Sequence, residues 1–321
     1  MKKSVSIFIT LCLIISLISC QSPQKTNSDA LSIVCTIFPY YDICKEVVQD
    51  NANVTILNNS GTDLHNYEPT LKDIKLISEC DVFIYGGGTS DLWVINTVAA
   101  SQNDDIKLIR LMDHVTTFNE EFKEGMQADS HDHEHDEKHH HNDSDIHEID
   151  EHIWLSLENA TIIAETICQT VQSIDPVNSD YYQNNFNTFS SEANKIDGLY
   201  RDLFYENTTP LIFADRFAFR YMTESYDLTY FAAFPGCSTE SFASFNTIAF
   251  LMKTVKDYNI DCILTIDTSN SQLAQTVANE TGCKIFTLNS CQSVTQKEID
   301  NGLTYLQIMK NNYQILSEVI S

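Results

Sequence analysis

Residues 31–57, LSIVCTIFPYYDICKEVVQDNANVTIL, carry two patterns in succession. Leu31–Thr36 is a short β-rich run, Tyr41–Gln49 spaces its apolar residues as a helix does, and Asn53–Leu57 returns to β-rich composition. Strand, helix and strand in that order predict a right-handed βαβ unit, and so a parallel sheet. Outward from it, Leu71–Glu79 reads as a helix, Val82–Tyr85 as a strand, Ser90–Ser101 as a helix and Ile106–Leu111 as a strand. Gly86-Gly87-Gly88 lacks both the GxGxxG pattern and a following Lys-Ser/Thr, so it reads as a tight turn and not a phosphate cradle.

The alternation then repeats. Leu211–Ala214, Leu228–Phe234, Cys262–Ile266 and Lys284–Leu288 read as strands, and Phe242–Tyr258, Gln272–Glu280 and Glu298–Ile320 as helices. Two rounds in a chain of 321 residues predict an α/β fold of two lobes, each with a mostly parallel sheet flanked by helices. Between them lies a helix over Leu157–Ser173, stopped before Pro176, and a second over 178–205 that Asn178 or Ser179 is placed to cap. Tyr182, Phe186, Phe189, Ala193, Ile196, Tyr200 and Leu203 recur in steps of four and three, the apolar stripe of an amphipathic helix roughly 40 Å long.

Lys and Arg number 19 against 45 Asp and Glu, a formal net charge of −26, so nucleic acid and anionic membrane surfaces are excluded as partners and cations are favoured. Met1-Lys2-Lys3 followed by the apolar run Val5–Ser19 reads as a secretory signal. Leu17-Ile18-Ser19-Cys20 resembles the cleavage box of bacterial lipoproteins, which implies an acylated Cys20, and Gln21–Ala30 is a polar tether. The boundaries expected are a signal at 1–19, a tether at 20–30, a first lobe at 31–156, linking helices at 157–209 and a second lobe at 210–321. Of 10 cysteines, Cys35, Cys44, Cys80, Cys168 and Cys262 fall in apolar patterns as core residues, while Cys237 and Cys291 fall in loops of one half and are candidates for a bridge.

His131–His152, HDHEHDEKHHHNDSDIHEIDEH, holds His131, His133, His135, His139, His140, His141 and His147 among acids. Such a run buries no core, and 115–148 is expected to be a solvated, disordered loop, yet imidazoles among carboxylates are a collector for zinc or a similar transition metal. It ends at His152, where apolar pattern resumes. His65 lies in GTDLHNYEPT (residues 61–70), the loop after the second strand, and in an open α/β sheet ligands bind at such carboxyl ends. By the same reasoning Arg216, Asp267 and Asn289, just past strands of the second half, face the cleft opposite His65 and His152.

These pieces, in their order, resemble the substrate-binding lipoproteins of zinc and manganese ABC importers, most closely the zinc-uptake branch. The matching stretches are residues 36–42 (TIFPYYD), GTDLHNYEPT, DVFIY from Asp81, DLWV from Asp91, the His-rich insert, DEHIWLSLENA from Asp150, RFAFRY from Arg216 and NGLTYL from Asn301, nearly the whole mature chain. The resemblance implies that helix 178–205 is a rigid spine joining the lobes. It implies an extracytoplasmic, lipid-anchored monomer that binds Zn²⁺, or Mn²⁺, and hands it to an ABC permease with its ATPase subunit. It also implies metal-binding histidines at His65 and His152. At the positions where the family has its third and fourth ligands this chain has Arg216 and Asn289, and an arginine cannot ligate.

The ligand set is therefore open between His65 and His152 with Asp267, the same pair with a histidine from 131–147, and a weaker or different site. Arg216 is expected in an ion pair with Asp267, or offset by Asp215. A surface metal buffer or adhesin using the insert alone is one rival reading. A zinc hydrolase is another, but HExxH is absent and no general base with oxyanion donors stands out. No catalytic residue is expected. Ligation needs neutral imidazoles, so affinity is expected to fall as pH drops through about 6.5.

Overall fold

A computed structural model describes residues 30–101, 103–127, 148–238 and 242–320. The signal, Cys20, the tether up to Asp29 and the seven histidines from His131 to His147 lie outside the described residues. The first lobe holds β1 (Leu31–Cys35), α1 (Phe38–Val48), β2 (Ala52–Ile56), α2 (Leu71–Ser78), β3 (Val82–Tyr85), α3 (Trp93–Ser101) and β4 (Lys107–Arg110). Its strands lie parallel in the order β2-β1-β3-β4. The second lobe holds β5 (Leu211–Arg216), α6 (Arg220–Ser225), β6 (Tyr230–Phe234), α7 (Phe245–Asp257), β7 (Cys262–Ile266), α8 (Gln272–Thr281), β8 (Lys284–Leu288), α9 (Gln296–Asp300) and α10 (Tyr305–Ile320). Its order, β6-β5-β7-β8, is again all parallel, so the two sheets share one topology.

Between the lobes run α4 (Leu157–Ile174) and α5 (Ser179–Phe204). Tyr182, Phe189, Ala193, Ile196, Tyr200 and Phe204 form the buried stripe of α5, with Phe186 and Leu203 partly covered beside it. Asn178 sits at the start of α5 without capping it; its side chain donates instead to Asp175, which also accepts from Tyr182. The helix is fastened at both ends. Asn185 Nδ2 donates to the Val47 carbonyl of α1 at 3.0 Å, and Tyr200 Oη to the Met309 carbonyl of α10 at 2.8 Å. One apolar core accordingly continues from the first sheet through α4 and α5 into the second lobe.

Three details depart from the sequence reading. The helix expected over Glu298–Ile320 breaks into α9 and α10 because Gly302, at φ +84°, takes a left-handed turn that ends α9. The Cys237–Cys291 bridge is absent and both thiols are free. Cys291 points into the core and is fully buried, whereas Cys237 is held on the facing turn by its N–H to Glu120 Oε1, 2.6 Å. Residues 118–127, placed by sequence with the first lobe, lie on the second: Phe118 packs on Tyr221, Glu121 pairs with Arg220, and Gln127 N–H donates to the Ala233 carbonyl. No helix among the described residues is long and apolar enough to cross a membrane.

Candidate metal centre

The strands of a parallel sheet open their carboxyl ends to one side, and at the seam between the lobes the loop after β2 meets the end of β5, Asp63 against Arg216. His65 sits in a single 3-10 turn, Leu64–Asn66, after β2. Asp63 caps that turn, its Oδ1 accepting the His65 N–H at 3.1 Å, while buried Leu64 anchors it to the core. His152 precedes a 3-10 turn whose Ile153, Trp154 and Leu155 are all buried. Trp154 Nε1 donates to the Ser290 carbonyl of the second lobe at 2.8 Å, and Tyr221 Oη to the Asp150 carbonyl at 2.7 Å. The tyrosine of RFAFRY thus fixes the loop that carries His152.

The two imidazoles meet at the seam with ring centroids 5.5 Å apart and planes at 61°. His152 is fully buried and the His65 side chain is 6% exposed. Each ring is held by its Nδ1. Asp150 Oδ1 accepts both the N–H and the Nδ1–H of His152 at 2.9 Å, and His65 Nδ1 lies 3.0 Å from Ser90 Oγ. Glu151 backs the same face: Oε1 accepts from Thr89 Oγ1 at 2.5 Å and Ser90 N–H at 2.7 Å, and Oε2 lies 4.0 Å from His65 Nδ1. The Asp150 carboxylate assigns the proton of His152 to Nδ1 and leaves its lone pair on Nε2, while the Ser90 hydroxyl, which can donate or accept, pairs with His65 Nδ1 and leaves Nε2 as the open nitrogen of that ring. Both Nε2 atoms are buried and have no hydrogen-bond partner among the described residues. A carboxylate or hydroxyl on one ring nitrogen with a free lone pair on the other is the arrangement that prepares histidine for a metal ion.

Glycine makes the close approaches possible. A Cβ on Gly88 would stand 2.4 Å from the Glu151 side chain, and one on Gly236 would stand 2.6 Å from the Phe217 carbonyl and 3.4 Å from His152 Cε1. The Gly86–Gly88 turn therefore seats Glu151, a use that its sequence did not disclose.

The electrostatics of the two rings differ. Burial, with the neighbouring His152 and Arg216, pulls His65 down to about 4 against the attraction of Asp63 and Glu151. Burial also works against a charge on His152, but the Asp150 carboxylate, then Glu151 and Asp63, outweigh it and raise that ring above its ordinary value.

Of the other residues singled out by sequence, Asp267 and Asn289 line a separate cavity of about 520 Å³, together with Asp63, Thr268 and Ser293, whose lining includes neither imidazole. Both Asp267 oxygens are taken, Oδ1 by the N–H and hydroxyl of Ser290 and Oδ2 by the Ser293 hydroxyl, each at 2.7 Å. Asn289 Oδ1 accepts the Cys291 N–H at 2.8 Å and its backbone is bracketed by Asn312 of α10, the bonds of a structural joint. Arg216 does not pair with Asp267. Its Nη2 reaches across the seam to Asp63 Oδ2 at 2.6 Å, with Thr268 Oγ1 at 2.9 Å and the Ser238 carbonyl at 3.3 Å from Nη1 holding it in place. Among the described residues no group of three or more His, Cys, Asp or Glu side chains is arranged to hold a metal ion. The imidazole pair is thus a two-donor half shell.

Residues 33–319 match the protein family described as zinc-uptake complex component A, periplasmic. The zinc-binding lipoprotein AdcA of Streptococcus pneumoniae is 28% identical over 318 residues, covering 99% of this chain and 61% of AdcA. The high-affinity zinc uptake system protein ZnuA of Bacillus subtilis is 27% identical over 300 residues, 94% of this chain and 91% of that protein. The crystal structure of the metal-dependent lipoprotein YcdH from Bacillus subtilis superposes with a TM-score of 0.73 at 26% identity, covering 90% of this chain and 99% of that one. This chain therefore spans about three-fifths of the streptococcal relative's length and nearly all of the Bacillus one.

Proposed function

The chain belongs to the family of zinc-uptake complex component A proteins, and from that membership we propose that it is the extracytoplasmic substrate-binding protein of an ABC-type importer whose cargo is zinc. It is a receptor and performs no chemistry on its cargo. The observation that carries this reading is the pair of buried Nε2 atoms, without hydrogen-bond partners among the described residues, on two rings whose centroids lie 5.5 Å apart at the seam and each of which is oriented through Nδ1. Imidazole donors suit zinc better than manganese, which takes oxygen ligands more readily. Capture needs only that the ion shed water for two nitrogens, and release to a permease with its ATPase partner needs the lobes to give them up. Cys20 is the proposed site of lipid attachment, and the His-rich insert the proposed collector.

Calorimetric titration of the full chain with Zn²⁺ tests the reading. A single tight equivalent is expected, weakened by about a hundredfold or more in His65→Ala and in His152→Ala, since each removes half of the protein's nitrogen donors. Retention of the tight equivalent in both variants would overturn it.

A further inference from the structure

Where the family resemblance implies a third ligand, this chain places the guanidinium of Arg216, and the guanidinium is spent on a residue two positions before His65. We propose that Arg216 is a latch and Asp63 its exchangeable partner: an arriving divalent metal takes the Asp63 carboxylate from Arg216 and uses it as third ligand beside His65 and His152. The inference rests on the two-histidine reading and names what completes it.

Geometry supplies the parts. Asp63 and His65 belong to one turn, and the Asp63 side chain is 10% exposed at the seam. Its Oδ1 is committed to the His65 N–H, which keeps the carboxylate aimed, while Oδ2 accepts from Arg216. The Asp63 charge bears on both imidazoles. Asp267, the acidic candidate that the sequence singled out, has both oxygens bonded within its own lobe. Asp63 is thus the carboxylate that gains a metal by exchanging one partner.

The freed arginine is not stranded. Thr268 and the Ser238 carbonyl continue to hold it in the second lobe, and Asp215, whose Oδ1 accepts the Arg216 N–H at 2.9 Å, lies alongside. A buried ion pair broken without replacement is costly, and here a dication replaces the guanidinium at the carboxylate. The exchange is confined to side chains because other bonds tie the lobes. Gln296 N–H donates to the Asn59 carbonyl, Trp154 Nε1 to Ser290, and Tyr305 N–H to Asp42. One Asp63–Arg216 ion pair is lost and one metal–carboxylate bond is formed, with no proton or electron transferred.

A latched carboxylate lowers apparent affinity by the fraction of molecules in which it is free. Competition titration of the full chain with Zn²⁺ against a chromophoric chelator should show Arg216→Gln binding about tenfold or more tightly than wild type, and Asp63→Asn about tenfold or more weakly. In the double variant the gain from Arg216→Gln should shrink to about threefold or less, because no latch remains to open. A gain that persists undiminished without Asp63 would make Arg216 a simple repulsive charge and overturn the proposal, as would an Arg216→Gln variant that binds no more tightly. A measurement on the wild type guards against variants that do not fold. The Arg216 side-chain ¹⁵N–¹H resonances should shift with one equivalent of Zn²⁺, and their failure to move while zinc binds would also overturn the latch. Loss of zinc binding in His65→Ala tests the underlying site separately, so failure of the latch and failure of the receptor reading are distinguishable.

Discussion

His65 and His152 are the same side chain in unlike surroundings, and the difference decides how protons compete with the cargo. At about 4, His65 stays neutral throughout the physiological range, whereas the Asp150 carboxylate keeps a proton on His152 to higher pH than usual. Sequence alone suggests two imidazoles titrating together near 6.5. The structure leaves one, because burial and the second ring hold His65 down. As pH falls below the raised value of His152, its Nε2 takes a proton that the metal must displace. Zinc affinity measured between pH 6.5 and 5.5 should therefore drop by about tenfold per unit, the slope of one proton. A slope of two protons, or a flat profile, would contradict the assignment. Asp150→Asn, which removes the charge behind His152, should cost about 10–100-fold in zinc affinity at pH 7.5, and an unchanged affinity would show that Asp150 only supports the loop. The positions of His65 and His152 were legible because each sits in a recognisable local stretch. The Arg216–Asp63 pair was not, since it joins residues 153 positions apart in sequence and no local pattern encodes a partner at that separation.

At the scale of elements, strand and helix existence followed from hydrophobic period nearly everywhere, since Val82–Tyr85, Cys262–Ile266 and Lys284–Leu288 coincide with β3, β7 and β8. What period could not supply was the break at Gly302, where one backbone angle overrides a continuous apolar pattern, and α6, whose six residues are too few to show one. The joint between α1 and α10 is another feature of contact and not of pattern. Asp42 Oδ2 accepts the Tyr305 N–H at 2.7 Å in a setting where burial pushes its carboxyl up to about 7. The folded chain thus keeps a proton that the unfolded chain releases near pH 4, so rising pH costs the folded state until about pH 7 and no further. Asp42→Asn keeps an acceptor for Tyr305 and removes the ionisation. Its stability relative to wild type, from urea unfolding, should grow by about 2–3 kcal/mol between pH 5 and pH 7.5. A difference that does not change with pH would show that Asp42 is not the titrating group. Gly236→Ala should lower both stability and zinc affinity, because its methyl would meet the Phe217 carbonyl at 2.6 Å and press on His152 at 3.4 Å.

For the whole molecule, two sheets of like topology meet at their carboxyl ends while α5 is bonded to α1 at one end and α10 at the other. The proposed receptor, so braced, is expected to bind by rearranging side chains at the seam more than by swinging its lobes. The His-rich stretch enters after Gln127, bonded to the Ala233 carbonyl, and returns at Glu148, whose carbonyl accepts from Glu120. Its flanks are thus fixed independently of the stretch itself, and deletion of 131–147 should leave the affinity of the seam site within about twofold of wild type while slowing uptake at scarce metal; a large loss of affinity would make one of those histidines a ligand. The position of the ion defines the proposed site. A crystal of the zinc-loaded protein, with anomalous scattering collected at the zinc edge, should show one fully occupied peak about 2.0–2.1 Å from Nε2 of both His65 and His152. A peak elsewhere in the molecule, or one bonded to neither ring, would contradict it.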